Sequence, residues 1–174
     1  MTELRFRFAV PRDVPDIVAL VHSAYRGDHS RVGWTTEANL LDGQRTDPEE
    51  VQALIAAGEL ILAEHAGQLV ANMQLSRHGD AAYVGMLAVR PELQAQGIAR
   101  ALLEEAERRV RAQRLATRIE MTVIAQRTEL IAWYERRGYR DTGESRPFPY
   151  GDERFGQPRR PDLYFRVLAK RLPF

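Results

Sequence analysis

Leu4, Phe6 and Phe8 alternate with Arg5 and Arg7, the two-residue period of a half-buried strand. After Pro11 and Asp13 the period changes. Val14, Ile17, Val18, Val21 and Tyr25 follow at helical spacing, which predicts a helix with one buried face, stopped by Gly27. From Asp28 to Asp47 the chain is polar, with Trp34, Leu40 and Leu41 as isolated apolar anchors. Ordered connections of that length are more often functional than idle. Asp47-Pro48-Glu49-Glu50 then predicts a helix start: a capping Asp, a proline in the first turn, and acids on the positive end of the dipole. That helix is expected to end at Ala57, before Gly58.

Leu60 to Ala63, Leu69 to Leu75 and Ala82 to Val89 read as strands. The turns His65-Ala66-Gly67-Gln68 and His78-Gly79-Asp80 join them into an antiparallel meander. A long helix is expected from about Gly97 to Arg114, with Ala99, Leu102, Leu103, Ala106 and Val110 on one face and mostly Glu and Arg on the other. Ile119 to Ile124 is a strand, and Glu129 to Arg137 a short helix closed by Gly138. Tyr139 to Gly143 and Leu163 to Leu168 supply the last strands, with Arg146 to Pro161 expected as a long hairpin loop over the surface. The order β-α-α-β-β-β-α-β-α-β-β predicts an α/β protein of the α+β type. Its sheet is a single layer, mixed but mostly antiparallel, with helices on both faces. With 174 residues, positions 1–174 form one domain.

Composition narrows the chemistry. Net charge is +1, so no whole-molecule field draws the chain to nucleic acid or to a membrane. Arg108, Arg109, Arg111 and Arg114 alternate with acids on a solvated helix face, which also speaks against nucleic acid as a partner. The absence of cysteine removes disulfides, thiol nucleophiles and thiolate metal sites, and no metal is expected. The N-terminus lacks the apolar run of a signal peptide, and no run approaches the roughly 20 residues needed to span a bilayer. The expectation is a cytoplasmic protein.

One segment carries a binding signal. The strand Leu87-Ala88-Val89 runs through Arg90-Pro91 into Gln94-Ala95-Gln96-Gly97-Ile98-Ala99-Arg100, a small-residue loop opening the long helix. Amides there have no intrahelical acceptor, and the dipole adds positive charge, so the segment suits a diphosphate. Gly97 and Ala99 keep side chains out of the way of the phosphates. The same local pattern also fits an ordinary strand-to-helix turn. It is neither the G-x-G-x-x-G of dinucleotide folds nor a P-loop.

The run V-R-P-E-L-Q-A-Q-G-I-A-R-A-L-L resembles the acetyl-CoA motif of the GNAT N-acetyltransferase family, Q/R-x-x-G-x-G/A, with Gln94, Gly97 and Ala99 at its fixed positions. Downstream, Leu130-Ile131-Ala132-Trp133-Tyr134-Glu135-Arg136-Arg137-Gly138-Tyr139 is similar to the family's A-x-x-F/L-Y-x-K/R-x-G-F/Y. The motifs stand in the family's order and spacing, and the element order is that of the GNAT acyl-CoA N-acyltransferase fold. The resemblance implies acetyl-CoA as co-substrate. Its pantetheine arm would pair with Leu87, Ala88 and Val89, and its pyrophosphate would lie on the amides of Ala95 to Arg100. Arg100 would reach a phosphate or remain a solvated helix residue. Tyr134 would protonate the departing thiolate, or simply pack beside Leu130 and Trp133. Two positions where family members carry a base are Tyr83 and Thr122, so neither supplies a carboxylate here. Glu120, on the same strand face as Thr122, is either a base working through a water or a surface glutamate. Arg127 stands where many members have an Asn that contacts the cofactor.

By the same resemblance the acceptor lies among the first helices, the loop between them and the loop joining the last two strands. Tyr25, Arg26, Trp34 and Glu37 are the candidate substrate-binding residues. Glu37 beside Trp34 suits a cationic amine, whereas Arg26 and Arg31 suit an acceptor bearing a carboxylate, such as an amino acid. The segments around Tyr25, Gly33 and Gly43 resemble a set of bacterial GNAT proteins of unassigned substrate. The leading expectation is acetyl transfer to a primary amine of a small molecule, by direct attack in a ternary complex. Protein Nα or Lys acetylation and a non-catalytic acyl-CoA-binding module are the alternatives, and a homodimer is an assembly seen among relatives.

Overall fold

Leu60, Ile61, Leu62 and Ala63 are apolar at four successive positions because their strand is covered on both faces. Leu60 and Leu62 pack under the first two helices, and Ile61 and Ala63 under the later ones. The computed structural model describes residues 3–27, 30, 31, 33 and 36–173, apart from the side chain of residue 155. The elements run β1 (Arg5–Phe8), α1 (Val14–Tyr25), β2 (Leu41–Asp42), α2 (Pro48–Ala56), β3 (Leu60–His65), β4 (Gln68–His78), β5 (Ala81–Val89), α3 (Ile98–Gln113), β6 (Arg118–Ile124), α4 (Thr128–Glu135), β7 (Arg140–Pro147), β8 (Gln157–Pro158) and β9 (Tyr164–Arg171). Seven strands make one sheet in the order β1-β3-β4-β5-β6-β9-β7, and β2 pairs with β8 apart from it. Each neighbouring pair is antiparallel except β5 and β6. The mixed, mostly antiparallel layer with helices on both faces matches the sequence reading. No helix among the described residues is long and apolar enough to cross a membrane.

Local signals act as expected at several points. Asp47 caps α2 by accepting the Glu50 amide at 2.7 Å. The β3–β4 turn places Ala66 and Gly67 at φ +51° and +78°, the left-handed pair that a two-residue hairpin needs.

Other features depart from the expectation. β7 continues past Gly143 to Pro147 with every residue exposed, so it carries no alternation to read. The segment after it is not a free surface loop. β8 pairs with β2, the Arg159 amide donates to Leu40 O at 2.8 Å, and the Arg159 guanidinium to Ala38 O at 3.0 Å. Phe8 is half exposed, covered by the Arg109 guanidinium 4.9 Å from its ring centre. The polar face of α3 is also not wholly solvated. Glu105 is buried under Arg108 and Arg109, and Glu107 accepts from the Tyr139 hydroxyl at 3.1 Å and Lys170 at 2.9 Å.

β5 decides where a ligand can enter. Asn72 and Gln74 of β4 face Ala88 and Gly85, so β5 holds one extra residue, a bulge at Met86–Leu87 with Met86 at φ +50°. Two side chains hold it. The buried Asn72 amide donates to Met86 O at 2.8 Å, and the Tyr25 hydroxyl donates to Leu87 O. β5 pairs with β6 only through Ala82–Ile119 and Tyr83–Glu120, and beyond those pairs the parallel strands splay. Replacing Asn72 with Ala leaves the Met86 carbonyl unbonded in the core. Urea denaturation is expected to show a loss of about 1–3 kcal/mol, and an unchanged midpoint would mean that Asn72 does not hold the bulge.

Candidate active site

The splay between β5 and β6 holds two cavities, of about 260 Å³ and about 230 Å³, whose linings share Tyr25, Leu87, Leu130 and Tyr134. The smaller lies against the start of α3. It is lined by Leu87 and Val89 of β5, by Gln94, Ala95, Gly97, Ile98, Ala99 and Arg100, and by Leu93, Trp133 and Arg137. The chain turns into α3 through left-handed backbone at Ala95 (φ +63°) and Gly97 (φ +84°). Ala101 N–H bonds back to Gly97 O at 3.0 Å, leaving the amides of Ile98, Ala99 and Arg100 without an intrahelical acceptor. A Cβ at Gly97 would meet nothing within 4 Å, so the space on that side of the loop is open. Gln94 ties the loop to the end of β5 by donating to Val89 O at 3.1 Å.

Two of the candidate cofactor residues lie elsewhere. Ala88 packs into the core beneath α1, on the opposite face of β5, and Gln96 is exposed and outside the lining. Arg100 lines the cavity and pairs with Glu104 at 2.9 Å. Sequence reading missed Arg137, whose guanidinium lies 3.8 Å from the Trp133 ring centre at the mouth of the same cavity. The motif residues Trp133 and Arg137, four apart on one turn, were the available signal.

Tyr134 is buried on the wall common to both cavities, edge-on to Trp133 and Tyr139. Burial above all pushes its phenol well above the ordinary value, so the hydroxyl stays protonated at neutral pH. That hydroxyl has no hydrogen-bond partner among the described residues and remains available as a donor.

The larger cavity opens on the other side of Tyr134, toward α1 and the β2–β8 ribbon. Leu41, Ile124 and Phe148 form its apolar end, and Tyr83 and Thr122 its floor, bridged hydroxyl to hydroxyl at 3.2 Å. Gly85 makes room for this floor, because a Cβ there would sit 2.7 Å from the Tyr83 ring. Glu37 is buried between Arg26, which donates to Oε1, and Arg127, which donates to Oε2 at 3.1 Å. Burial by itself raises the Glu37 pKa, but Arg127, Arg26 and Arg45 outweigh it and hold the carboxyl below its ordinary range.

The candidate acceptor residues Tyr25, Arg26 and Glu37 therefore line this cavity, and Trp34 lies outside the described residues. The reading of Glu37 as an anion for a cationic amine does not fit its surroundings, since two guanidinium groups already take both oxygens. Arg31 is exposed and donates to Asn39 at 2.7 Å, away from the lining. Glu120 also stands apart. It pairs with Arg118 at 2.9 Å, beside Tyr83 in the last rung before the splay, and lines neither cavity. Arg45, which sequence reading passed over, also lines this cavity, since no periodic signal marks an arginine in a loop; Arg127, noted at a position where relatives carry an Asn, lines it too.

Comparison with known proteins gives this geometry a family. A sequence model of the acetyltransferase (GNAT) domain matches residues 33–148, two thirds of the chain. The chain belongs to the GNAT acetyltransferase family. Solved GNAT structures share its fold at low identity. The ribosomal-protein-S18-alanine N-acetyltransferase of Escherichia coli is 16% identical, with 99% of this chain and 96% of that chain aligned at a TM-score of 0.72. The ribosomal-protein-alanine N-acetyltransferase of Brucella melitensis is 20% identical, over 97% and 99%, with a TM-score of 0.70. N-acetylglutamate synthase from Neisseria gonorrhoeae, solved with coenzyme A and N-acetyl-glutamate, is 19% identical, over 100% of this chain and 36% of that one, with a TM-score of 0.68. No curated protein matched the sequence. As a GNAT domain the protein moves an acyl group to an amine.

Proposed function

We propose that this GNAT protein transfers acetyl from acetyl-CoA to a primary amine of a small molecule, by direct attack in a ternary complex. The position of Tyr134 carries the reading: one protonated phenol on the wall between a helix-start cavity and a second cavity. In this reading the amides of Ile98, Ala99 and Arg100 hold the pyrophosphate, with the side chains of Arg100 and Arg137 at its edge. The splayed edge of β5 at Leu87–Val89 receives the pantetheine arm as an added strand. Acetyl-CoA bound there presents its thioester at the shared wall. The amine nitrogen bonds to the acetyl carbon as the carbon–sulfur bond breaks. Tyr134 gives its proton to sulfur, and the proton lost from nitrogen returns to the phenolate through solvent. Coenzyme A in the N-acetylglutamate synthase relative supports the choice of donor. The β2–β8 ribbon, which ties the α1–α2 connection to the β7–β9 connection over the acceptor end, favours a small molecule over a protein segment.

Acetyl-CoA at a concentration 100 times its Kd should stabilise the fold by about 2.7 kcal/mol, read as a rise in melting temperature. Gly97→Val is expected to abolish most of that rise, since a β-branched residue resists the left-handed backbone through which the loop enters α3. The φ of +84° adds a strain of about 1–2 kcal/mol to the free protein. No shift near millimolar acetyl-CoA in the unaltered protein would sink the donor site.

A further inference from the structure

The larger cavity carries more positive charge than acetyl transfer alone requires. Its described lining holds three guanidinium groups, Arg26, Arg45 and Arg127, against one carboxylate, Glu37. Arg26 and Arg127 already share that carboxylate. Arg45 differs from both. It is half-buried, its guanidinium lies 5.8 Å from the Tyr25 ring centre, and no carboxylate of the described residues pairs with it. Such a site repels a plain ammonium and draws in an anion. A guanidinium is a planar fork that matches a carboxylate with two parallel hydrogen bonds.

Resting on the acetyl-transfer reading above, we infer that the acceptor is a primary amine that also bears a carboxylate, with Arg45 as the group that receives the carboxylate. The Tyr25 ring gives the arrangement its direction. Arg45 and Arg127 lie 5.8 Å and 5.7 Å from its centre, and Tyr25 also lines the cradle cavity. Arg45 and Tyr134 line the same cavity, so a carboxylate held at Arg45 keeps a short amino acid within the space that Tyr134 walls.

The same charge assists the chemistry. Surplus positive potential disfavours the ammonium form of a bound acceptor and so lowers the pKa of its nitrogen. More of the acceptor is then present as the nucleophilic free amine. This suits a site whose floor, Tyr83 and Thr122, offers no carboxylate base. The carboxylate of the acceptor secures binding while the field around it prepares the nitrogen.

The test measures free-thiol release from acetyl-CoA with α-, β- and ω-amino acids, each paired with its carboxamide, and with short peptides bearing a free N-terminus. At least one acid is expected to exceed its amide tenfold or more in kcat/KM. Arg45→Gln should then lower kcat/KM for that acid roughly 10- to 100-fold, mainly through KM, and bring the acid-to-amide ratio toward one. Arg45→Lys, which keeps the charge without the fork, should recover part of the loss. Both variants should keep the melting temperature to within a few degrees and its rise with acetyl-CoA, because the Arg45 side chain makes no ion pair or hydrogen bond among the described residues. Amides or peptides accepted as well as the acids, no acid accepted at all, or an acid preference untouched in Arg45→Gln would each overturn the inference. With the acetyl-CoA shift intact, those outcomes leave the donor reading standing. A missing shift in the unaltered protein strikes the donor reading instead.

Discussion

Tyr134→Phe is expected to lower kcat by about 10²- to 10⁴-fold while the acetyl-CoA-induced rise in melting temperature stays as it was. The substitution removes one oxygen and leaves the ring edge-on to Trp133 and Tyr139. Packing is kept and only the proton donor is lost. Because burial raises the Tyr134 pKa, the protonated phenol persists beyond the ordinary value of 10.0. The unaltered enzyme should therefore show no alkaline fall in kcat below about pH 10. Steady-state rates with acetyl-CoA across that range check both statements. Full turnover in the Phe variant, or an alkaline limb near neutrality, would remove Tyr134 as the acid.

Glu37→Gln should cost about 3–5 kcal/mol of stability, because it leaves two buried guanidinium groups facing a neutral amide. Arg26 and Arg127 approach Glu37 with side chains only 5% and 8% exposed, so water cannot replace the lost charge. The pH dependence follows from the same contacts. The folded-state pKa of Glu37 is depressed, so its contribution is complete above the ordinary glutamate range and is lost as the pH falls through the folded value. Urea titrations at neutral pH give the magnitude. The difference between the two proteins should shrink in acid, and a loss under about 1 kcal/mol at neutral pH would show that the triad is not desolvated. Arg26→Met combined with Arg127→Met should soften the effect of Glu37→Gln, since no buried charge then lacks its partner.

Much of the donor half was legible in the chain. The strand–turn–helix pattern ending at Gly97 depends on local spacing, left-handed backbone and helix-start amides, all of which are written within some fifteen residues. The same holds for the Asp47 cap and the two meander turns. The acceptor half was not legible in this way. Glu37 and Arg127 are far apart in sequence and meet only because α4 and the α1–α2 connection converge on the open end of the splay. A glutamate read in isolation suggested a cation site. Its two arginine partners occupy both of its oxygens.

What the sequence determined by itself was periodicity: which stretches are helix or strand, which faces are apolar, and where a small-residue loop opens a helix. Those features follow from interactions between residues close in the chain. Only the tertiary structure decided how β5 leaves β6, because that depends on Asn72 and Tyr25 bonding the carbonyls of a bulge neither residue sits in. It also decided which charges line the larger cavity. Charge inside a desolvated space is a sum over every residue brought there, and that sum is not visible along the chain.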